Sequence, residues 1–367
     1  MNNFNFKIDY DYKSRLTLII DGNWLLMSRM AVLRGKYDDV QELFPILKEN
    51  MIKSIAIVLN QIKLIDNIIF VVDGGSWRKN IKQPAALIED DREDSYKGNR
   101  VKTADFDWNT FFSEYNKFTD EMATVGKINV FRHNDVEGDD WCWYISNALY
   151  NSGTNCIIMS ADKDLTQLVK FNADTYNFVM TYYKVKSNKH LITYHKTLDD
   201  YKEAVSMSFF LNQNNKYNLD CIKECLGVAT ETKAIYPNDI IIDKIFRGDV
   251  SDNILPPIYY RSGAKTYKIT QKQIDYNIKA EDDAAIKKFI NKTITENVKY
   301  KSLDNSIVVE HAMYNRKLVY LDQSEYPEEI LKYLQENTYY HRSKDLDIEM
   351  NYIHANKNKI TEFLDSL

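Results

Sequence analysis

The sequence predicts an α/β fold, a central mostly parallel sheet with helices on both faces, followed by a smaller, mainly helical C-terminal part. Three short apolar runs carry the first half of that reading: Leu16 to Ile20, Ile68 to Val72 and Cys156 to Met159 are rich in β-branched residues, shorter than a typical helix, and end in polar turns. Helical patterns such as Ile46 to Ile65 lie between them, and strands alternating with helices build a parallel sheet covered on both sides.

Taken in order, a further strand fits Lys127 to Phe131, and a helix fits Asp139 to Tyr150. Alternation from Thr181 to Tyr194 predicts a hairpin or sheet edge. The segment 74–124 is highly charged, with Glu89, Asp90, Asp91, Arg92, Glu93 and Asp94 in succession, and is expected to stand off the core. Amphipathic stretches at Asp282 to Val298, Glu325 to Gln335 and Leu346 to Leu367 read as C-terminal helices. The expected organisation is an α/β domain over residues 1–200, including the charged segment at about 74–124, and a C-terminal part over 201–367.

Composition limits the class of protein. With 44% hydrophobic and 13% aromatic residues but only 11 Gly and 6 Pro, the chain can pack a core and is not fibrous or of low complexity. No span approaches about 20 consecutive apolar residues, and the start carries no basic stretch followed by an apolar run, so no membrane association and an intracellular, cytoplasmic protein are expected. Cys142, Cys156, Cys221 and Cys225 lack the spacing of a zinc module and read as reduced, mostly buried thiols. A net charge of −5 at first opposes a nucleic-acid partner, yet setting aside the nine carboxylates discussed next makes the balance positive.

Those carboxylates recur where strands end. Asp21 follows the first apolar run and Asp73 the second, and the third leads into Ser160-Ala161-Asp162-Lys163-Asp164. In open α/β sheets the carboxyl edge is where ligands bind. Glu137, Asp139 and Asp140 open a predicted helix, and Asp249 and Asp252 form another pair three apart. A lone strand-end Asp is more often a cap or turn residue, but recurrence changes the balance. Two like charges about 4 Å apart repel by roughly 4 kcal/mol at an effective dielectric near 20, so such a cluster must raise its pKa values or bind cations. Carboxylates without His or Cys select hard ions, Mg2+ or Mn2+, and two such ions suit phosphodiester hydrolysis.

The chain resembles the 5′ nucleases, a PIN-like family of flap endonucleases, bacterial polymerase exonuclease domains and phage enzymes, nearest in look to phage ribonuclease H. The likeness runs through Ile-Asp-Gly-Asn at 20–23, Val-Val-Asp at 71–73, Tyr-Lys-Gly-Asn-Arg at 96–100, Glu-Gly-Asp-Asp at 137–140, Ser-Ala-Asp-Lys-Asp-Leu-Thr-Gln-Leu at 160–168 and Gly-Asp-Val-Ser-Asp-Asn at 248–253. It implies that Asp21, Asp73, Glu137, Asp139 and Asp162 serve a tighter metal site and Asp140, Asp164, Asp249 and Asp252 a second. It also implies that Lys97 and Arg100, expected on one side of a helix, grip the scissile phosphate. Tyr96 would stack on a base, and the segment around Lys79 to Lys102 would form the arch that passes a 5′ single strand.

The implied activity is that of a 5′ to 3′ exonuclease or flap endonuclease, with ribonuclease H-like removal of RNA primers during replication. The implied substrates are DNA with a 5′ flap, a nick or an RNA–DNA hybrid. The implied partners are a single-strand-binding protein or a sliding clamp, with the enzyme itself a monomer in the host cytoplasm if viral. The sequence departs from the family in the helix-hairpin-helix region, about 245–275, where Leu255 to Thr266 replaces most glycines with Pro and Tyr and leaves Arg261, Lys265 and Lys268 as the point charges for a duplex. Between Asp164 and Asp249 the chain is also longer than in simpler relatives, with 185–217 as the extra material.

Three rivals are weighed against this. A junction-binding scaffold without hydrolysis is disfavoured because all nine acidic positions are filled. A small-molecule phosphatase leaves Tyr96 to Arg100 unexplained, and a four-acid RNA nuclease leaves Asp164, Asp249 and Asp252 unexplained.

Overall fold

The computed structural model describes residues 16–62, 65, 67–84, 96–98, 105–124, 128–175, 177–184, 190–199, 230–262 and 265–338. They form two compact units, the first within 1–75, 103–235 and 328–367, the second within 76–102 and 236–327.

The first unit is built on one sheet. Its strands are β1 (Leu16–Asp21), β2 (Asn67–Val72), β3 (Asn129–Arg132), β4 (Asn155–Met159), β5 (Lys170–Phe171), β6 (Phe178–Lys184), β7 (His190–His195) and β8 (Thr230–Ile235). They lie in the order β3-β2-β1-β4-β6-β7-β8, with β5 pairing β6. Neighbours from β3 through β6 are parallel, β6 and β7 pair antiparallel as the alternation from Thr181 to Tyr194 predicted, and β7 and β8 are parallel.

Every residue of β1, β2 and β4 is buried, which explains why these strands read as continuous apolar runs rather than alternating ones. Helices α1 (Gly22–Leu33), α2 (Val40–Gln61) and α3 (Trp108–Thr124) pack Leu25, Leu43, Leu47, Phe111 and Phe118 against Leu18, Ile20, Phe70 and Ile157. Helix α4 (Gly138–Asn151) packs against β1, β2 and β4. Crossovers from β1 to β2 to β3 run one way along the sheet and the crossover from β3 to β4 runs back, so right-handed connections put these helices on opposite faces.

Two expectations are corrected here. The helix expected over Ile46 to Ile65 begins at Val40, where Asp39 accepts the Gln41 N–H at 2.8 Å, and ends at Gln61. The segment 74–124 does not stand off the core throughout, since α3 buries Phe111, Tyr115, Phe118 and Met122. Its acidic run at 89–94 lies outside the described residues, as do Cys221, Cys225, most of 185–217 and the helix expected over 346–367.

The second unit holds α5 (Pro237–Arg247), an antiparallel hairpin of β9 (Tyr259–Ser262) and β10 (Lys265–Lys268), α6 (Asp283–Glu296) and α7 (Asn305–Val319). A two-stranded hairpin, not a second helix, thus follows α5, which corrects the helix-hairpin-helix expectation. The tyrosines suit a strand, and Tyr260 and Tyr267 stack across it with centroids 6.2 Å apart. Helix α7 escaped the sequence reading because His311 and Asn315 interrupt its apolar period on the face that is buried.

Asn315 instead makes a polar tie. It is fully buried, and its amide donates to the carbonyls of Ile245 (3.1 Å), in the last turn of α5, and Leu255 (2.7 Å), in the loop that follows. Asn315→Ala strands both acceptors and is expected to destabilise this unit by about 2–3 kcal/mol, read by urea unfolding.

Helix α8 (Glu328–Asn337) belongs to the first unit.

Candidate active site

Asp21 is the last residue of β1 and the N-cap of α1. Its Oδ1 accepts the Trp24 N–H at 2.9 Å, and its Oδ2 accepts the Ser160 hydroxyl at 2.8 Å. Since β1 and β4 are the strands between which the chain order reverses, these two segments meet at the switch point of the sheet, where open α/β folds form their ligand crevice. The Ser160 oxygen also accepts the Asp162 N–H at 3.0 Å, and Asp162 Oδ1 accepts the Asp164 N–H at 2.8 Å. A run of hydrogen bonds therefore positions the three acids from Asp21 to Asp164.

Asp73 ends β2. Its N–H donates to Asn23 Oδ1 at 3.2 Å, and its Oδ1 accepts the Gly138 N–H at the start of α4 at 2.5 Å. Glu137 and Asp140 close a capping box there: Asp140 Oδ2 accepts the Glu137 N–H at 3.0 Å while the Glu137 side chain accepts the Asp140 N–H. Asp140 is fully buried in that role, Glu137 is 6% exposed, and Asp139 is half-buried.

The electrostatics show which of these acids converge. Burial, and then the negative charge of Asp73, push the Asp21 carboxyl up to about 7, with Asp162 adding to the rise and the bonds from Trp24 and Ser160 opposing it. Two buried neighbours report the same field. Burial first, then Asp73 and Asp21, push the Tyr115 phenol up, and burial first, then Asp21, Asp139 and Asp73, push the Cys142 thiol up. Asp73, Asp139 and Asp162 thus lie within electrostatic range of Asp21 or of its buried neighbour Cys142 at the carboxyl edge. Cys142 and Cys156 are free and buried, as expected.

Gly138 has no room for a side chain, because a Cβ would lie 2.7 Å from Asp73 Oδ1. Gly138→Ala is expected to displace that carboxylate and weaken divalent-cation binding at this edge about 10- to 100-fold, with stability changed by under ~1 kcal/mol. A divalent-cation titration, with thermal melts alongside, checks this.

In the second unit Asp249 and Asp252 sit in a loop closed by paired backbone bonds between Asp249 and Ile254, both at 2.8 Å. Burial raises the Asp249 carboxyl, but hydrogen bonds from Lys244 and Ser251 outweigh it and hold the group at about 2, with Lys244 Nζ 2.5 Å away. The buried Asp252 uses its backbone carbonyl to accept the Lys97 N–H at 2.9 Å.

Tyr96 and Lys97 depart from expectation. Residues 96–98 form a turn rather than a helix, with Lys97 at φ 59°, and Arg100 lies outside the described residues. Tyr96 is 7% exposed and packs in the core of the second unit with Ile242 and Phe246, so its ring does not stand free to stack on a base. Lys97 Nζ lies 4.8 Å from the Tyr96 ring centroid. Lys265 and Lys268 are exposed on the hairpin, and the Arg261 side chain is outside the description.

Sequence reasoning passed over Asn23 and Ser160, the residues that orient Asp73 and Asp21. The signal was present, since each stands next to or within two residues of an acid-bearing strand end.

Comparison with known proteins agrees with this architecture. The sequence model of the 5′-3′ exonuclease N-terminal resolvase-like domain matches residues 17–202, just over half of the chain. No curated protein sequence matches. Among solved structures, the T5 D15 protein co-crystallised with metal ions is similar with a TM-score of 0.50 and 16% identity, over 88% of this chain and 98% of that one. A variant of the bacteriophage T5 flap endonuclease, described as a pseudo-enzyme-product complex with DNA and metal ions, is similar with the same score and identity, over 88% of this chain and 97% of that one. At such identity the likeness establishes a shared fold. The chain belongs to the 5′-3′ exonuclease family and has the PIN-like α/β fold of the 5′ nucleases.

Proposed function

We propose that the protein is a divalent-metal-dependent, structure-specific 5′ nuclease. It hydrolyses phosphodiester bonds at 5′ flaps, nicks and RNA–DNA hybrids, RNA primers included, with two Mg2+ ions that Mn2+ can replace. The observation that carries this is the Asp21 carboxylate: buried, pushed up to about 7 by its surroundings, and placed among Asp73, Asp139 and Asp162. A donor set made of carboxylates alone suits a hard cation such as Mg2+ or Mn2+ better than zinc, which favours His and Cys donors. When bound, such ions lower the pKa of a water nucleophile and stabilise charge on the leaving oxygen.

The residues of the chain supply the preorganisation. Trp24 and Ser160 fix the orientation of Asp21, Gly138 holds the Asp73 carboxylate and Asn23 its backbone N–H, so these two carboxylates are preorganised as charge develops. Asp21, Asp73, Glu137, Asp139 and Asp162 are proposed to hold the tighter ion, directly or through water. Asp140, Asp164, Asp249 and Asp252 are proposed for the second, in competition with the capping box at Asp140 and with Lys244 at Asp249. Lys97 and Arg100 are proposed to hold the scissile phosphate, and Arg261, Lys265 and Lys268 the duplex.

DNA as the substrate class is supported by the DNA complex of the similar T5 endonuclease. Action as a monomer in the cytoplasm during replication, beside a single-strand-binding protein or sliding clamp, belongs to the same proposal. Among the described residues no helix is long and apolar enough to cross a membrane.

Flap, nicked and hybrid substrates labelled at the 5′ or the 3′ end test the reading. Cuts that map next to the 5′ single-strand junction, appear with Mg2+ and vanish with excess chelator are expected. Full cutting after exhaustive chelation, or equal cutting of unstructured single-stranded RNA, would overturn it.

A further inference from the structure

The loop from His133 to Val136 joins β3 to α4 and lies against the segment that carries Asp73. Gly74 donates its N–H to the Val136 carbonyl at 3.0 Å, and Gly75 donates to the Asn134 carbonyl. The approach is close enough that a Cβ on Gly74 would fall 1.6 Å from the His133 carbonyl oxygen. The loop then passes through Glu137 to Gly138, whose N–H holds the Asp73 carboxylate itself. Asp73 is therefore gripped by this loop through its following backbone and through its side chain. A shift of the loop must move the carboxylate.

The loop is in turn held by a distant part of the chain. The His133 ring lies 3.8 Å, centroid to centroid, from the ring of Tyr333 on α8, tilted by 36°. Tyr333 also meets Trp141 edge-on at 6.0 Å, and Trp141 packs on Phe131 of β3 at 5.3 Å. Burial pushes the Tyr333 phenol up, as expected for a ring covered on one side. Docking of α8 does not need this ring, because Ile330 and Leu334 are buried from the same helix. The stack adds a contact to a loop that sets Asp73.

We propose that Tyr333 is a positioning residue: stacked on His133, it holds the 133–136 loop and through it the Asp73 carboxylate at the geometry a divalent cation requires. The proposal rests on the nuclease reading above. Loss of a group that orients a ligand rather than coordinates the metal lowers cation affinity roughly 10- to 100-fold in metal sites. A C-terminal helix thereby tunes a site built from the N-terminal half of the chain.

The test uses the full chain as wild type, Tyr333→Ala, Tyr333→Leu and Tyr333→Phe, with Lys332→Ala as an exposed control on the same helix. Mn2+ binding is followed by electron paramagnetic resonance without DNA, and cleavage of a 5′ flap is followed against Mn2+ and against DNA. Tyr333→Ala and Tyr333→Leu are expected to weaken Mn2+ binding about tenfold and to raise the half-saturating Mn2+ for cleavage in step, with KM for DNA unchanged. Tyr333→Phe keeps the ring and is expected to behave as wild type. Tyr333→Leu retains apolar bulk for docking, so melting near that of wild type separates positioning from a folding defect.

Unchanged Mn2+ binding in both aliphatic variants overturns the proposal. An equal loss in Tyr333→Phe, or a raised KM with cation response unchanged, overturns it too, the last pointing to a DNA contact. Failure of wild type to cut with any divalent cation would instead remove the nuclease reading, while the Mn2+ binding series would still decide the role of Tyr333.

Discussion

Asp21→Asn is expected to abolish cleavage and, in the same protein, to raise the stability of the cation-free fold above pH 7. The two effects have one cause. Asp21 is 6% exposed, and its charge is opposed by burial and by Asp73, so the folded chain carries at neutral pH a group whose ionised form is costly. Asparagine keeps the cap, since its oxygen can still accept the Trp24 N–H, and removes the charge. Without that carboxylate the acidic cluster loses a group proposed to hold the cation, and kcat is expected to fall by at least about 10³-fold, or roughly 4 kcal/mol of transition-state stabilisation. Single-turnover cleavage with saturating Mg2+ reads the first effect and a melt in chelator at pH 8 reads the second. A variant that retains cutting within tenfold of wild type would remove Asp21 from the machinery.

The stability of the wild-type protein without divalent cations is expected to decline as pH rises from about 4 to 7, and divalent cations are expected to restore it. The Asp21 carboxyl titrates near 7 when folded and near about 3.9 when unfolded, so folding takes up a proton in that window. Its contribution is fully present below the unfolded value and is lost as pH passes the folded one. About three pKa units correspond to an upper bound near 4 kcal/mol.

Burial shifts other groups as well. Burial raises Glu325 and Asp239 and lowers His190 and His195, and the two pairs act with opposite sign. Asp249, held at about 2, acts only below the window, where its stabilisation is lost as pH falls. Since all of these persist in Asp21→Asn, the difference between wild type and variant reports Asp21 together with its coupling to Asp73 and Asp162. Melts at pH 5.5 and 8 with chelator or with Mg2+ should show the larger cation-induced rise at pH 8, and that excess should vanish in the variant. Equal rises at the two pH values would sink the assignment.

What could be read from the residues follows from periodicity. The strands at 16–21, 67–72 and 155–159 were legible because both faces of a parallel sheet are buried, which writes an unbroken apolar run into the chain. Helix α7 was not legible, because a buried Asn and a buried His on its inner face break the pattern for reasons that exist only in three dimensions. Tyr96 misled for the opposite reason: an aromatic beside basic residues has the composition of a nucleic-acid contact, but its burial depends on Ile242 and Phe246, far along the chain.

By itself the sequence determined the sheet, its acidic carboxyl edge and the family, since each is written in short local patterns whose meaning does not depend on distant partners. Only the tertiary structure decided which acids share a field and which are already committed. Asp21, Asp73, Asp139 and Asp162 converge because β1, β2, the start of α4 and the end of β4 meet at one edge, while Asp140 is held by a capping box and Asp249 by Lys244. The physical reason is that a carboxylate is the same group in every sequence window, and its proton affinity is set by burial and by charges that folding brings within a few ångströms.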